Sequence, residues 1–308
     1  MEPYGEVLLR KRTYPKGVVM ARTGVLFATA ATTILLLAVP VRPASAIAVD
    51  LGAASNWAVL EIGSGLVSSN IGPGGLVVGD VGIASGQLNQ TLSAIDGSVY
   101  LGSGATYNLG FLSSVTGSIL YNQNLTQSVS AANAASAAAS ALNVGSPSSI
   151  SLTNGSMILT PGVYDLSNLS LTNSVLTLSG SGNYTFNDSG VMQLSGSQIS
   201  LANGATAANV LFNVTGNQVS EASSIVEGTI LAPNASVLIS SSYVVGEVIG
   251  GGNISLAPGA VVGSAHGAPG PIVGTGLPGF ALLGGGFLLA RRLRRGAERG
   301  QLRAQASP

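Results

Sequence analysis

The sequence predicts an all-β chain wound as a right-handed, three-faced β-solenoid, with one Ala-rich helix packed alongside. Two observations in the residues point to stacked coils. Between Ile150 and Val262 the chain is a succession of apolar runs three to five residues long, such as Met157-Ile158-Leu159, Leu169-Ser170-Leu171, Val175-Leu176-Thr177-Leu178 and Val237-Leu238-Ile239. These runs are too short for helices, are punctuated by Gly, Asn and Ser, and alternate internally as strands with one buried face do. Composition agrees: hydrophobic residues make up 46% of the chain but aromatics only 5%, and 43 residues are Gly. Thin coils with small turn residues suit that profile better than a globule with a thick aromatic core.

Residues 1–46 read as a signal peptide. Arg10 to Arg22 supply positive charge, Val25 to Val39 is an apolar run of h-region length, and Ala44-Ser45-Ala46 fits the small-x-small cleavage rule. Translation from Met1 or from Met20 is compatible with this reading. The solenoid domain then occupies residues 47–263. Trp57 to Ile62 reads as a first strand and Leu76 to Ile83 as a second, and Trp57, the single tryptophan, reads as a cap over the end of the stack.

Residues 126–143 break the strand period. The segment is dense in alanine, the best helix former, and contains neither Gly nor Pro. Asn124 or Thr126 can cap its start, and Gly145 and Pro147 stop it. Val129, Ala132, Ser136, Ala139 and Leu142 would form the face against the coils. Beyond it, Asn recurs at turn positions, including 154, 173 and 203, where tolerance of left-handed backbone is reason enough for it.

After Val262 a linker with Pro269, Gly270 and Pro271 covers residues 264–271. Residues 272–290 then form an uncharged, largely apolar stretch of transmembrane length. Arg291, Arg292, Arg294 and Arg295 follow as a stop-transfer cluster that places the basic tail, residues 291–308, in the cytoplasm. The expected location is the cell envelope, with a single C-terminal anchor.

Charge excludes some functions. All 12 Lys and Arg lie outside residues 47–290, whereas that span holds Asp50, Glu61, Asp80, Asp96, Asp165, Asp188, Glu221, Glu227 and Glu247. With no cation to meet phosphate, nucleic-acid binding by the domain is excluded. The absence of Cys removes disulfide and thiol chemistry. The single histidine, His266, sits in the linker, which leaves no Ser-His triad in the domain. Glu227 and Glu247, 20 residues apart and so about one coil, are the one acidic pair worth weighing. They are either a weak Ca²⁺ or acid-pair candidate or two solvated surface residues.

Several stretches carry a family resemblance. Asn56-Trp57-Ala58-Val59-Leu60, Gly79-Asp80-Val81-Gly82, Leu159-Thr160-Pro161-Gly162-Val163-Tyr164 and Asn209 to Val214 resemble the ice-binding-like β-solenoid family. Gly228 to Ala235 followed by Gly246 to Gly252 is similar to the choice-of-anchor A surface-adhesin domain. The tail resembles a PEP-CTERM sorting signal, here Pro269-Gly270-Pro271 without that family's Glu. These resemblances imply the right-handed three-faced β-helix with its helix, no cofactor, and an exosortase-type transpeptidase acting near the proline motif. The leading expectation is a non-catalytic adhesin or envelope-matrix protein presenting an acidic rod to polysaccharide. The second is ice binding, for which the sequence shows scattered Thr172, Thr177, Thr185, Thr215 and Thr229 but no repeated Thr-x-Thr ladder; a polysaccharide-acting β-helix enzyme is the third.

Overall fold

In the computed structural model, residues 48–63, 68–142 and 145–263 are described. The signal segment 1–46, His266, the Pro269-Gly270-Pro271 motif, the apolar stretch 272–290 and the Arg291–Arg295 cluster lie outside them. The described residues form 26 short strands, two short 3-10 turns and one α-helix, α1, from Thr126 to Ala141. Every strand pairing is parallel, and the pairings resolve into three ladders of nine strands, one strand (Gly162–Thr172) bending round a corner to serve two of them.

Coils form because each apolar residue has a partner of its own kind one coil away. Tyr164, Phe186, Phe212, Ile230 and Val248 stand in register on one inner wall. The three aromatic rings stack at centroid distances of 5.0 and 4.8 Å. On the second wall Leu152, Leu171 and Leu194 stand in register, and on the third Met157, Leu176 and Ile199. Such a filled interior leaves outward side chains at every second position.

The turn chemistry is equally repetitive. At the corner between the second and third walls one residue is left-handed in successive coils: Asn154, Asn173, Gly196, Ser223 and Ser241 have φ of 51, 47, 58, 52 and 50°. The residue after it is then small and inward. Ser174, Ser197, Ser224 and Ser242 build a hydroxyl ladder in which Oγ accepts the backbone N–H of the preceding coil's small residue at 3.0–3.2 Å. Each of these hydroxyls donates to the carbonyl two residues back, so no buried polar atom of this ladder is left open.

Coil order does not follow the chain. Val248–Gly250, near the end of the domain, pairs with Val59–Glu61 at its beginning, and Val261–Gly263 pairs with Leu76–Val78. The stack therefore starts at Ser148, rises to Gly263, and continues through Val59 to Gln123. The chain returns from one end to the other through α1. At 1.5 Å per residue, its 16 residues span about 24 Å of the about 38 Å separating nine strands.

Three expectations change here. Leu76 to Ile83 is two strands, Leu76–Val78 and Val81–Ile83, on different walls, because Gly79-Asp80 turns a corner between them. Trp57 does not cap the stack. Its coil lies inside it, and the ring is buried beneath α1 beside Tyr100, with Nε1 donating to Ser128 Oγ at 3.0 Å. The helix buries Ser128, Ala132, Ala135, Ser136 and Ala139; Val129 and Leu142 are only half-buried.

Candidate functional site

Each of the three outer faces has a different covering, which decides what each can do. The first is occupied by α1. Its outward row Asp165, Asn187 and Asn213 stands in register beneath the helix. Asn187 Nδ2 donates to the Ala139 carbonyl at 2.8 Å, and Asn213 Nδ2 to the Ser136 carbonyl at 3.2 Å. Ser136 Oγ donates in turn to Asn213 Oδ1 at 2.6 Å. Leu60, Leu211, Leu231 and Ile249 complete the seat with Ala132, Ala135 and Ala139. Alanine is needed because a larger side chain would hold the helix off these amides. This face is closed to a ligand.

Acidic groups do not assemble a site. Glu227 pairs with Val245 on the third wall, while Glu247, fully buried, accepts a hydrogen bond from Thr229 Oγ1 on the first. The local coil is 18 residues, as Ile230 opposite Val248 shows. A separation of 20 therefore puts the two glutamates two positions out of register and round a corner from each other. No group of three or more metal-ligating side chains occurs among the described residues.

The expected acidic exterior is also corrected. Of the nine carboxylates, Glu61, Asp165, Asp188, Glu221 and Glu247 are buried. Burial pushes Glu61 up to about 7, against backbone N–H donors at Gly63 and Ser85 that hold it down, and pushes Glu221 up to about 8. Both Glu221 oxygens lack a hydrogen-bond partner. A carboxyl desolvated in this way keeps its proton at neutral pH.

The second face is open and bears no charge. Its nine strands contain one carboxyl side chain, Glu221, which points inward, and no Lys, Arg or His; the Tyr107 phenol, pushed up to about 12 by burial, is neutral. The central outward row runs Ser151, Ser170, Gln193, Ser220, Leu238, Ser255, Asn70, Asn89 and Asn108, each in register with the next. A flanking row runs Thr153, Thr172, Ser195, Ala222 and Ser240. Asn89 Nδ2 donates to Asn70 Oδ1 at 3.2 Å and Asn108 Nδ2 to Asn89 Oδ1 at 3.4 Å, which fixes the amides in one orientation. Around Leu238 the face dips into a groove of about 440 Å³ lined by Gln218, Ser236 and Ser255.

Sequence reading missed these rows because it sought Thr-x-Thr along one strand. The matched residues lie 17–27 positions apart in coils of unequal length, and 185 apart where Asn70 meets Ser255. The available signal was the middle residue of the apolar-x-apolar triplets, which picks out Ser151, Ser170, Gln193, Leu238, Ser255 and Asn108 but not Ser220, Asn70 or Asn89, each of which has a polar neighbour on one side.

The third face is mixed. Ile158, Val175, Ile225, Tyr243 and Val78 project from it, with Glu227 and Asp96 among them, so it lacks the chemical uniformity of the second.

Comparison with known proteins places these faces in context. The model of a family described as ice-binding-like matches residues 62–262. Among solved structures, the ice-binding protein of the Antarctic ascomycete Antarctomyces psychrotrophicus aligns at 23% identity and TM-score 0.53, covering 70% of this chain and 97% of that one. A glycosylated ice-binding protein from an Arctic yeast aligns at 22% identity and TM-score 0.52, covering 74% and 99%. An ice-binding protein from an Antarctic biological consortium aligns at 18% and 0.54, covering 74% and 96%. At these identities the likeness is one of fold. None of the curated proteins compared matches the chain.

Proposed function

This chain belongs to the ice-binding-like family, and we propose from that premise that it is a non-catalytic ice-binding protein acting through the open polar face. One observation carries the reading: nine parallel strands present hydroxyls and amides in registered rows without a single outward charge. Strands repeat every 4.7–4.9 Å, a spacing of the same order as the repeat of water oxygens on ice. Short Ser and Thr hydroxyls on a rigid sheet hold water at that repeat with little motion left to lose. An outward carboxylate or ammonium would instead bind its own radially ordered hydration shell and break the match.

The surface-adhesin reading has less behind it, since it rested on an acidic exterior and most of the carboxylates are buried. Export through residues 1–46 and anchoring through residues 272–290 remain part of the proposal. They put the domain outside the cell, where ice grows first. An exosortase-type enzyme acting at Pro269-Gly270-Pro271 is the proposed route of release, and fractionation with C-terminal mapping tests it.

Thermal hysteresis and ice-recrystallisation measurements test the central reading. Ser170→Tyr and Ser220→Lys, each in the middle of the polar row, are expected to abolish both effects while leaving the melting temperature unchanged. Thr177→Tyr on the third face should leave them intact. Activity surviving both polar-face changes, or lost with Thr177→Tyr alone, would refute the assignment of the face.

A further inference from the structure

The two ends of the stack are complementary, and we infer that a second copy of this chain stacks on them head to tail. Among the described residues, Thr106–Leu109, Ser114–Val115 and Ile119–Gln123 pair on one side only and form one end. Ser148–Thr153, Ser156–Leu159 and Gly162–Tyr164 pair with a strand on one side only and form the other. Among the described residues, each end thus presents three parallel strand edges in a triangle with no further strand paired beyond them.

Exposed edges of this kind are ordinarily blunted by Lys, Pro or another charge. Here the six end strands contain no Lys, Arg, Glu or Pro, and their one acidic residue, Asp165, is buried and accepts from Asn187 Nδ2 at 3.2 Å. The face that would meet a partner carries no repulsive group. One end also exposes apolar surface: Leu109 is 50% exposed, Phe111 76% and Leu112 71%.

The identity of the partner follows from geometry. A triangle of three parallel edges accepts only another such triangle with its strands running the same way, and the opposite end of the same molecule is one. Both end coils turn through the same left-handed corner, at Leu112 with φ 52° and at Asn154 with φ 51°. The fold already makes one junction of this type without a covalent link between successive coils. Val248–Gly250, Ile254–Leu256 and Val261–Gly263 receive Val59–Glu61, Ser68–Ile71 and Leu76–Val78 from the distant start of the domain. Stacking a second copy repeats that step. The contact is heterologous, so it propagates rather than closing as a dimer. It would also extend the polar row from Asn108 of one copy to Ser151 of the next, whether or not that row binds ice.

The chain has no cysteine, which makes cross-linking a clean test. Full-length protein in detergent micelles is made with Asn108→Cys, with Ser151→Cys, and with both, then oxidised by copper phenanthroline. In-register neighbours 4.7–4.9 Å apart fall inside the 4.4–6.8 Å Cα separation that a disulfide tolerates. The double variant is expected to give a ladder of multimers on a non-reducing gel, and each single variant only monomer. Dimers from Asn108→Cys alone, or a double variant that stays monomeric at every concentration, would overturn the inference. Without cysteines, sedimentation of the same protein should show concentration-dependent association that Leu109→Lys abolishes. Association undiminished in that variant would also overturn it.

Discussion

Replacing Glu221 by leucine should remove a pH dependence that this residue builds into the stack. The side chain lies on the inner wall of the polar face, in register with Leu194 on one side and Ile239 on the other. It is fully buried and both its oxygens lack a partner. Burial alone raises it from 4.5 to about 8. Between those two values the folded chain keeps a proton that the unfolded chain gives up, so stability is greatest below 4.5 and falls as pH rises. The slope is roughly 1.4 kcal/mol per pH unit, and over the whole window the loss is about 5 kcal/mol at most.

Glu61, raised to about 7, contributes in the same direction and fades between pH 7 and 8, so Glu221 is the larger contributor in that interval. Glu221→Leu should flatten that interval and raise the urea midpoint most at pH 8, less at pH 5. Glu221→Gln should flatten it as well, but without the gain from filling the site with hydrocarbon, since its amide is left as unpartnered as the acid was. Fluorescence of Trp57, the sole tryptophan, reports the transition. Midpoints of wild type and Glu221→Leu that run parallel from pH 7 to 8 would refute the argument.

Three further changes test the packing. Asn213→Ala removes donors to the Ser136 carbonyl and Ser140 Oγ and orphans the buried Ser136 hydroxyl. It should cost about 2–4 kcal/mol and raise amide exchange first in α1. Gly246 has φ 159°, and a Cβ there would lie 2.1 Å from the Gly228 carbonyl oxygen, so Gly246→Ala should destabilise by more than about 1 kcal/mol, read by thermal melting. Ala135→Leu should push α1 off its seat against the first wall. We expect a loss of about 1–3 kcal/mol and a Trp57 emission shifted to the red, because the ring lies under the same helix.

The coils were legible in the sequence because their signal is local. Alternation such as Leu169-Ser170-Leu171 names an inward pair and an outward residue wherever it occurs, and the alanine run at 126–143 stands out against it. Neither signal carries information about order. Nothing in Val59-Leu60-Glu61 says that its lower neighbour is Val248-Ile249-Gly250, almost two hundred residues on; only the pairing does. Trp57 was misplaced for that reason, since the beginning of a chain is not the end of a stack when the coils are shuffled. The acids were misjudged because composition counts charges and burial removes them.

That shuffling has a physical cause, which also explains where function can reside. If coil followed coil from Val59 onward, α1 would lead into the next coil up and could not lie along the wall it now covers. By sending the chain from Gln123 back to Ser148, the fold lays the helix lengthwise over one outward row, Asp165–Asn187–Asn213–Leu231–Ile249–Leu60, with Leu211 beside it. This mix of amides and large aliphatics is the outward row in greatest need of cover. One wall is thereby given to structure, and another exposes Ile158, Val175, Ile225 and Tyr243, spread over two rows. Only the second wall combines openness, register and neutrality along its whole length, and a ligand that is itself a repeating array of neutral hydrogen-bonding groups is what such a surface fits.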